Sequence, residues 1–243
     1  MSFYQIIRLA EVESTNSYLL NHVNRDSRSG LVVQAMRQTA GRGRHGRTWE
    51  GFSGNLFFSV FVKPKCSFLD YPQFTHIASL AVTMTLEGLL PDSSKPGIKW
   101  PNDVLVTGKK ISGILLEVAS DAEGPYGIVI GIGINLAKAP DLLSYQATCL
   151  AEHPYKNLPL LRVFTNVLRH FHHLYYGWEA NGFEDIRKQW LARTIHGQDK
   201  SISFSSGSDV ISGTFEGLAS NGALLIKDVH GITKQYVAGE IMA

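Results

Sequence analysis

Cysteine is scarce in this chain: Cys66 and Cys149 are the only two in 243 residues, and neither stands in a paired-cysteine motif. A disulfide framework and a thiolate zinc site are both left without support, and a reducing, cytoplasmic setting fits best. An excess of charge of one sign is also absent, since 23 basic side chains stand against 21 acidic ones for a formal net charge of +2. That balance excludes a strongly basic nucleic-acid coat and an acidic disordered tail. No apolar run approaches the roughly 18 residues of a membrane-spanning helix. The opening MSFYQIIRLAEVESTN carries Glu11 and Glu13 where a secretory signal needs an apolar stretch. Neither membrane insertion nor secretion is expected. Internal repeats and low-complexity tracts are missing too. What remains is a chain 44% hydrophobic, long enough for one large domain or a large domain with a small partner.

Four segments bounded by glycine or proline, 31–37, 54–63, 104–118 and 126–136, are rich in branched and aromatic residues and read as buried or half-buried strands. The short polar run Glu13-Ser14-Thr15-Asn16 can cap exposed backbone N–H groups, and it opens a helix through Tyr18 and Leu19 to Val23. A second helix is expected near 72–90, where Phe74, Ile77, Ala78 and Ala81 recur at helical spacing. The longest apolar stripe is Leu160, Val163, Phe164, Val167, Leu168, Phe171, Leu174, Tyr175 and Trp178, behind Pro159 at a first helical position. That helix should pack on a sheet. A shorter one follows, capped by Asn181 and burying Phe183, Ile186 and Trp190. From 197 onward the texture changes to short alternating strands with turn signals at Ser205-Ser206-Gly207-Ser208, Asn221-Gly222 and His230-Gly231. Such a segment makes a small β-barrel or sandwich, marginal alone and docked on the larger part.

The densest chemical signal is Gln38-Thr39-Ala40-Gly41-Arg42-Gly43-Arg44-His45-Gly46-Arg47-Thr48-Trp49, three arginines among three glycines between two strands. Glycines let such a loop bring backbone N–H groups near a ligand, and arginines grip phosphate or carboxylate oxygens in pairs. A lid over an anion, a flexible basic hairpin and a nucleic-acid patch all share this composition. Next comes Lys99-Trp100-Pro101-Asn102-Asp103, with a tight turn at Thr107-Gly108-Lys109 and a returning strand that starts with Lys110. This hairpin can hold a cation beside the Asp103 carboxylate on a rigid frame, although solvated lysines on a surface hairpin have the same sequence. The third segment, Gly127 to Leu136, has Gly131 and Gly133 at alternate positions and Asn135 at its exit. Glycines inside a strand indicate close approach by another backbone or a flat ligand, and the spacing is not that of a dinucleotide fingerprint. His170, His172 and His173 have no acidic or cysteine partner on their helix, so they read as solvent-facing and not as metal ligands. Ser53 lacks the G-x-S-x-G spacing of a hydrolase nucleophile.

Taken in order, these segments resemble the biotin protein ligases, also called biotin–[acetyl-CoA-carboxylase] ligases. The family shows an E-S-T-N start, a Q-x-x-G-R-G-R-x-G-R-x-W loop, a K-W-P-N-D hairpin returning through K-x-x-G, and a G-x-G-I-N strand, and all four are present at similar intervals. The resemblance runs through nearly the whole chain to Gly239-Glu240-Ile241. It implies an α/β (α+β) fold: a mixed β-sheet flanked by helices in a class II synthetase-like catalytic domain, 1–193, and a small SH3-like β-barrel, 194–243. It implies a two-step ligase reaction, in which biotin and ATP form biotinyl-5′-AMP and a lysine of a biotin carboxyl carrier protein then takes the biotin.

Roles follow by position. The resemblance places Ser14, Thr15, Asn16, Gln38, Gly41, Arg42, Lys110 and Gly113 around biotin, with Thr15 and Gln38 at its ureido head. It places Arg42, Arg44, Arg47, Trp49, Lys99, Asn102, Lys110 and Asn135 around ATP and the adenylate, with Trp49 on the adenine. Arg42 would hold the biotin carboxylate and α-phosphate, and Lys110 the reacting oxygens. Asp103 would position or deprotonate the incoming lysine, with a contact to the Mg²⁺ of ATP as the competing role; no dedicated metal site is expected. Some relatives carry an N-terminal winged helix-turn-helix domain, whereas here E-S-T-N begins at residue 13, so DNA binding is not expected. Met242-Ala243 follows Ile241 where some relatives have a basic residue, which leaves a nucleotide contact from the tail in doubt. A homodimer is left open. The competing readings are a lipoate-type ligase of the same fold and a carrier- or nucleic-acid-binding module without catalysis.

Overall fold

The computed structural model describes residues 3–141, 145–156, 158–197, 200–206 and 209–241. Its centre is a seven-stranded mixed sheet. The chain enters on β1 (Gln5–Val12), turns through α1 (Thr15–His22), and continues through β2 (Leu31–Gln38) and β3 (Leu56–Val62) to α2 (Pro72–Glu87). The next four strands, β4 (Pro96–Lys99), β5 (Asp103–Val106), β6 (Lys109–Asp121) and β7 (Gly124–Ile134), complete the sheet in the order β1-β2-β3-β7-β6-β5-β4. Only β1 and β2 run parallel; the other neighbours are antiparallel.

Alternation along the central strands decides what each face does. Phe58, Val60, Ile114, Ile130 and Ile132 face one way into the main core, with α2 and the residues of α3 (Leu160–Asn181) and α4 (Glu184–Leu191) packed there. The opposite positions are smaller and more polar: Ser59 on β3, Gly131 and Gly133 on β7, and Gly113, Leu115 and Glu117 on β6, which lie in matching register. On that second face α1 packs Leu19 and Val23 against Val33, Phe61 and Val129. One end of the face is therefore filled by α1 and the other stays open.

A second, five-stranded antiparallel sheet follows from β8 (Ser201–Ser206), β9 (Asp209–Leu218), β10 (Leu224–Lys227), β11 (Thr233–Tyr236) and β12 (Glu240–Ile241), in the order β11-β10-β9-β8-β12. The Gly207-Ser208 part of one expected turn and the tail Met242-Ala243 lie outside the described residues. This sheet shares the main core through Phe204, whose ring lies 5.7 Å from that of Trp100. It is also bound by polar contacts: His76 Nε2–H donates to Gly222 O at 2.8 Å, Gln73 Nε2 to Ser220 O at 2.9 Å and Arg187 Nη1 to Leu218 O at 3.0 Å.

Several expectations need correction. Strand β1 was not foreseen, because no residue along it is buried and it shows no clean alternation; β4 is only four residues long. Asn181 does not cap α4. It is the last residue of α3, which stops because Gly182 adopts φ +75°, a conformation open mainly to glycine. Of the three histidines on α3 only His173 is exposed, while His172 is half-buried among the rings of Phe3, Tyr4 and Tyr176.

Candidate active site

The first turn of α1 forms the polar end of the open face. Ser14 caps the helix with its side chain accepting from Ser17 N at 3.4 Å. Thr15 donates twice to Gln38 Oε1, from its backbone N at 2.8 Å and its hydroxyl at 3.1 Å. Ser59 Oγ lies 2.7 Å from Thr15 Oγ1 and 2.5 Å from Asn16 Oδ1. Asn16 Nδ2 donates to Leu115 O at 3.1 Å and to Glu117 Oε2 at 2.8 Å. Ser14, Thr15, Asn16 and Ser59 are buried, so each must be hydrogen-bonded to be tolerated. Gly131 makes room for them, since a Cβ there would stand 2.9 Å from Asn16 Cγ. The close approach that the alternate glycines implied is made by this chain's own side chains.

The arginine-glycine loop lies across the face. Trp49 N donates to Gly41 O at 2.9 Å and Gly43 N to Arg47 O at 2.7 Å, and Arg42 bridges Thr48, so the loop is a narrow doubled-back flap. Its tip turns at His45 (φ 55°) and Gly46 (φ 72°). The three arginines reach different anchors. Arg42 Nη2 meets Glu117 Oε2 at 2.9 Å, and Arg47 Nη2 meets Glu240 Oε2 at 2.6 Å. Hydrogen bonding within the latter pair raises the Arg47 pKa and lowers that of Glu240. Arg44 donates to Gly239 O at 3.2 Å and to Asn102 Oδ1 at 3.4 Å. Among the described residues it has no carboxylate at ion-pair distance, and burial lowers its pKa. A desolvated guanidinium held by neutral acceptors alone is a ready partner for an anion.

Trp49 closes the floor. Its indole lies over Gly113 and Gly133, where added Cβ atoms would come to 2.8 Å of Cζ3 and 2.5 Å of Cε2. At the far end, Lys110 Nζ and Asp103 Oδ1 pair at 2.8 Å, with side chains only 15% and 21% exposed. A bulge sets this pair up: Leu105 faces Lys110 while Val104 faces Ser112, which leaves Ile111 unopposed and re-aims the strand. The Lys110 ammonium also sits 4.9 Å from the centre of the Tyr145 ring and 5.5 Å from that of Trp49. Burial raises the Tyr145 pKa.

Thirteen of the fifteen residues singled out from the sequence line this one cleft; Gly41 and Asn135 do not. Gly41 is the inner hinge of the flap, where a Cβ would stand 2.9 Å from Gln38 Nε2. Asn135 is buried, with Nδ2 donating to Thr148 O at 3.2 Å and Oδ1 accepting from Asn55 Nδ2 at 3.4 Å. It borders a side recess shared with Trp49, Lys110 and Tyr145. Ser59, Glu117, Tyr145 and Glu240 were missed. Ser59 had a visible signal, as the one polar residue in an otherwise apolar strand, LFFSVFV. The empty space of the cleft, with the open solvent at its mouth included, is about 850 Å³. Among the described residues no three His, Cys, Asp or Glu side chains converge on a common point.

Comparison with known proteins gives concordant results. Residues 9–135 match the sequence model of the Biotin/lipoate A/B protein ligase family. The biotin–[acetyl-CoA-carboxylase] ligase of Paracoccus denitrificans is 34% identical over 238 residues, covering 92% of this chain and 94% of that protein. The structure of the Aquifex aeolicus biotin protein ligase in complex with biotin and ATP superposes with a TM-score of 0.82 at 30% identity, covering 99% of this chain and 98% of the other. The Leishmania major biotin protein ligase bound to biotinyl-5-AMP gives 0.66 at 27% identity, covering 96% and 98%.

Proposed function

The chain belongs to the biotin/lipoate A/B protein ligase family, and we propose that it is a biotin–[acetyl-CoA-carboxylase] ligase that activates biotin with ATP and transfers it to a lysine of a biotin carboxyl carrier protein. The observation that carries this reading is the division of one cleft into a polar end, Thr15 with Gln38, and a charged end, Lys110 with Asp103, under a flap of three arginines.

A neutral bicyclic urea matches the polar end, where hydroxyl and amide groups supply both donors and acceptors. Beside it the cleft is bordered by Leu115, Gly131 and Ile132, while Ser59 lies buried behind Thr15 and Asn16 and is bonded to both. A carboxylate at the end of biotin's chain then reaches the region of Arg42 and Lys110. In the first step that carboxylate oxygen attacks the α-phosphorus of ATP; the new O–P bond forms as the bond to the leaving pyrophosphate breaks. Charge grows on the phosphoryl oxygens, and fixed cations stabilise it in proportion to their desolvation. Lys110, mostly buried, and Arg44, which has no carboxylate at ion-pair distance among the described residues, suit that task. Arg42 holds the biotin carboxylate, Arg47 orders the flap, and Lys99 and Asn102 line the phosphate side. Trp49 and the recess beside Asn135 and Tyr145 offer a flat surface for the adenine.

In the second step the carrier lysine's amine attacks the acyl carbon of the mixed anhydride, AMP leaves, and the amine gives up a proton. Asp103 is the carboxylate placed to orient that amine or take the proton. A flap closed over the anhydride excludes water. Magnesium brought by the nucleotide would neutralise charge on the phosphates; Asp103, which lines the cleft and is engaged by Lys110, is the residue that would hold it. Residues 194–243 are proposed as a small SH3-like domain that completes the flap's docking surface through Gly239 and Glu240, a reading supported by the five-stranded sheet and the two flap contacts. The test is a mass shift of a biotin carboxyl carrier domain incubated with the chain, biotin and Mg-ATP. No shift with a carrier that a known ligase labels would overturn the proposal.

A further inference from the structure

Glu117 has no role in the chemistry above, yet it joins the two halves of the cleft. It sits on β6 on the same face as Gly113 and Leu115. A single oxygen, Oε2, accepts both Asn16 Nδ2 at 2.8 Å and Arg42 Nη2 at 2.9 Å. Asn16 belongs to the helix turn that forms the polar cradle, and Arg42 belongs to the flap. The other flap arginines anchor elsewhere, to Gly239, Asn102 and Glu240.

We infer that Glu117 is a positioning residue that pre-seats Arg42, holding the inner limb of the flap closed and tying its position to the biotin cradle. The geometry separates this from a competitive role. The contact uses one of the five guanidinium N–H groups and leaves the others free to meet a ligand. A carboxylate that engaged Arg42 through a bidentate fork would have to be displaced by the ligand; this one need not be. Without Glu117 the arginine regains its rotamer freedom, and the flap spends less time closed. The apparent affinity for a ligand that needs the closed flap falls by the same fraction. An ion pair as exposed as this one, 43% and 23%, is worth at most about fivefold in such an equilibrium.

The inference rests on the ligase reading for its kinetic arm only. The test uses the full chain with Glu117→Gln, which keeps an acceptor for Asn16 and removes the charge facing Arg42. Amide hydrogens of 41–49 in the unliganded protein should exchange about two to five times faster, with α1 unchanged. In biotin-dependent ATP–pyrophosphate exchange the loss should fall on the KM for biotin, raised by a similar factor, and not on kcat. Added to Arg42→Gln, the substitution should have no further effect on either reading. Unchanged exchange in 41–49, a lowered KM, or an equal additional loss on the Arg42→Gln background would overturn the inference. Failure of the parent chain to catalyse the exchange at all would count against the ligase reading, while the hydrogen-exchange arm would still decide the role of Glu117.

Discussion

Replacing Lys110 by alanine separates the two halves of the proposed reaction. The Lys110 side chain is 15% exposed and its ammonium lies 2.8 Å from Asp103, so it acts on a reacting phosphoryl group through a medium far less screening than water. Removing one fixed electrostatic stabiliser of this kind costs about 10²–10³ in rate, or about 3–4 kcal/mol of transition-state stabilisation. The fold loses far less. The Lys110–Asp103 pair reaches solvent, and the contacts to the Tyr145 and Trp49 rings are long, so about 1–2 kcal/mol of stability is at stake. Two assays read the result. Biotin-dependent ATP–pyrophosphate exchange should drop by about two to three orders of magnitude, whereas transfer from preformed biotinyl-5′-AMP to the carrier should recover much of the loss. Urea denaturation should show that the variant is folded. Equal losses in both assays, or a loss in exchange below tenfold, would refute the assignment of Lys110 to the adenylation step.

Three further outcomes follow from the structure. Gly131→Ala forces a methyl group against the Asn16 amide; overpacking of this kind costs about 1–3 kcal/mol, so the KM for biotin should rise about tenfold with the KM for ATP unchanged, and steady-state kinetics in each substrate checks both. Arg44→Ala removes the flap arginine that is desolvated and, among the described residues, has no carboxylate at ion-pair distance, and it should weaken ATP more than Arg47→Ala does, as measured by nucleotide titration of each variant. His76 and His196 are buried neutral, with pKa values pulled down to about 4 by desolvation. Their contribution is complete above the unfolded value near 6.5 and is lost as pH falls toward 4, at about 1.4 kcal/mol per pH unit for each. Urea midpoints at pH 7.5 and pH 5 should show that decline, and His76→Asn should flatten it; an unchanged pH dependence in the variant would rule His76 out as a source.

How far the sequence speaks depends on whether a feature is local. The flap, the K-W-P-N-D hairpin and the Ser14 cap were legible because glycine spacing, arginine clustering and helix capping act within a few residues. The long stripe on α3 was legible for the same reason, and all nine of its residues but Leu160 are buried. Strand β1 was not, because an exposed edge strand has no burial to shape its pattern. The charge partners of the arginines were also hidden. Arg42 and Glu117 are 75 residues apart and Arg47 and Glu240 are 193 apart, and no spacing rule links positions so distant. Asn135 shows the limit of a local motif. Its motif is local and present, but its side chain is bonded within the protein to Asn55 and Thr148, a pairing that only the tertiary structure reveals.

The central claim is that the polar end of the cleft, Thr15 with Gln38, takes the bicyclic urea of biotin while Lys110 and the flap serve its carboxylate at the α-phosphate of ATP. Incorporation of labelled pyrophosphate into ATP by the full chain, measured with biotin, with lipoate and with neither, tests it directly. The account predicts exchange that depends on biotin and is abolished or nearly so when lipoate replaces it, because a dithiolane ring offers nothing to Thr15 and Gln38. Exchange supported equally by lipoate, or exchange that needs neither acid, would contradict it.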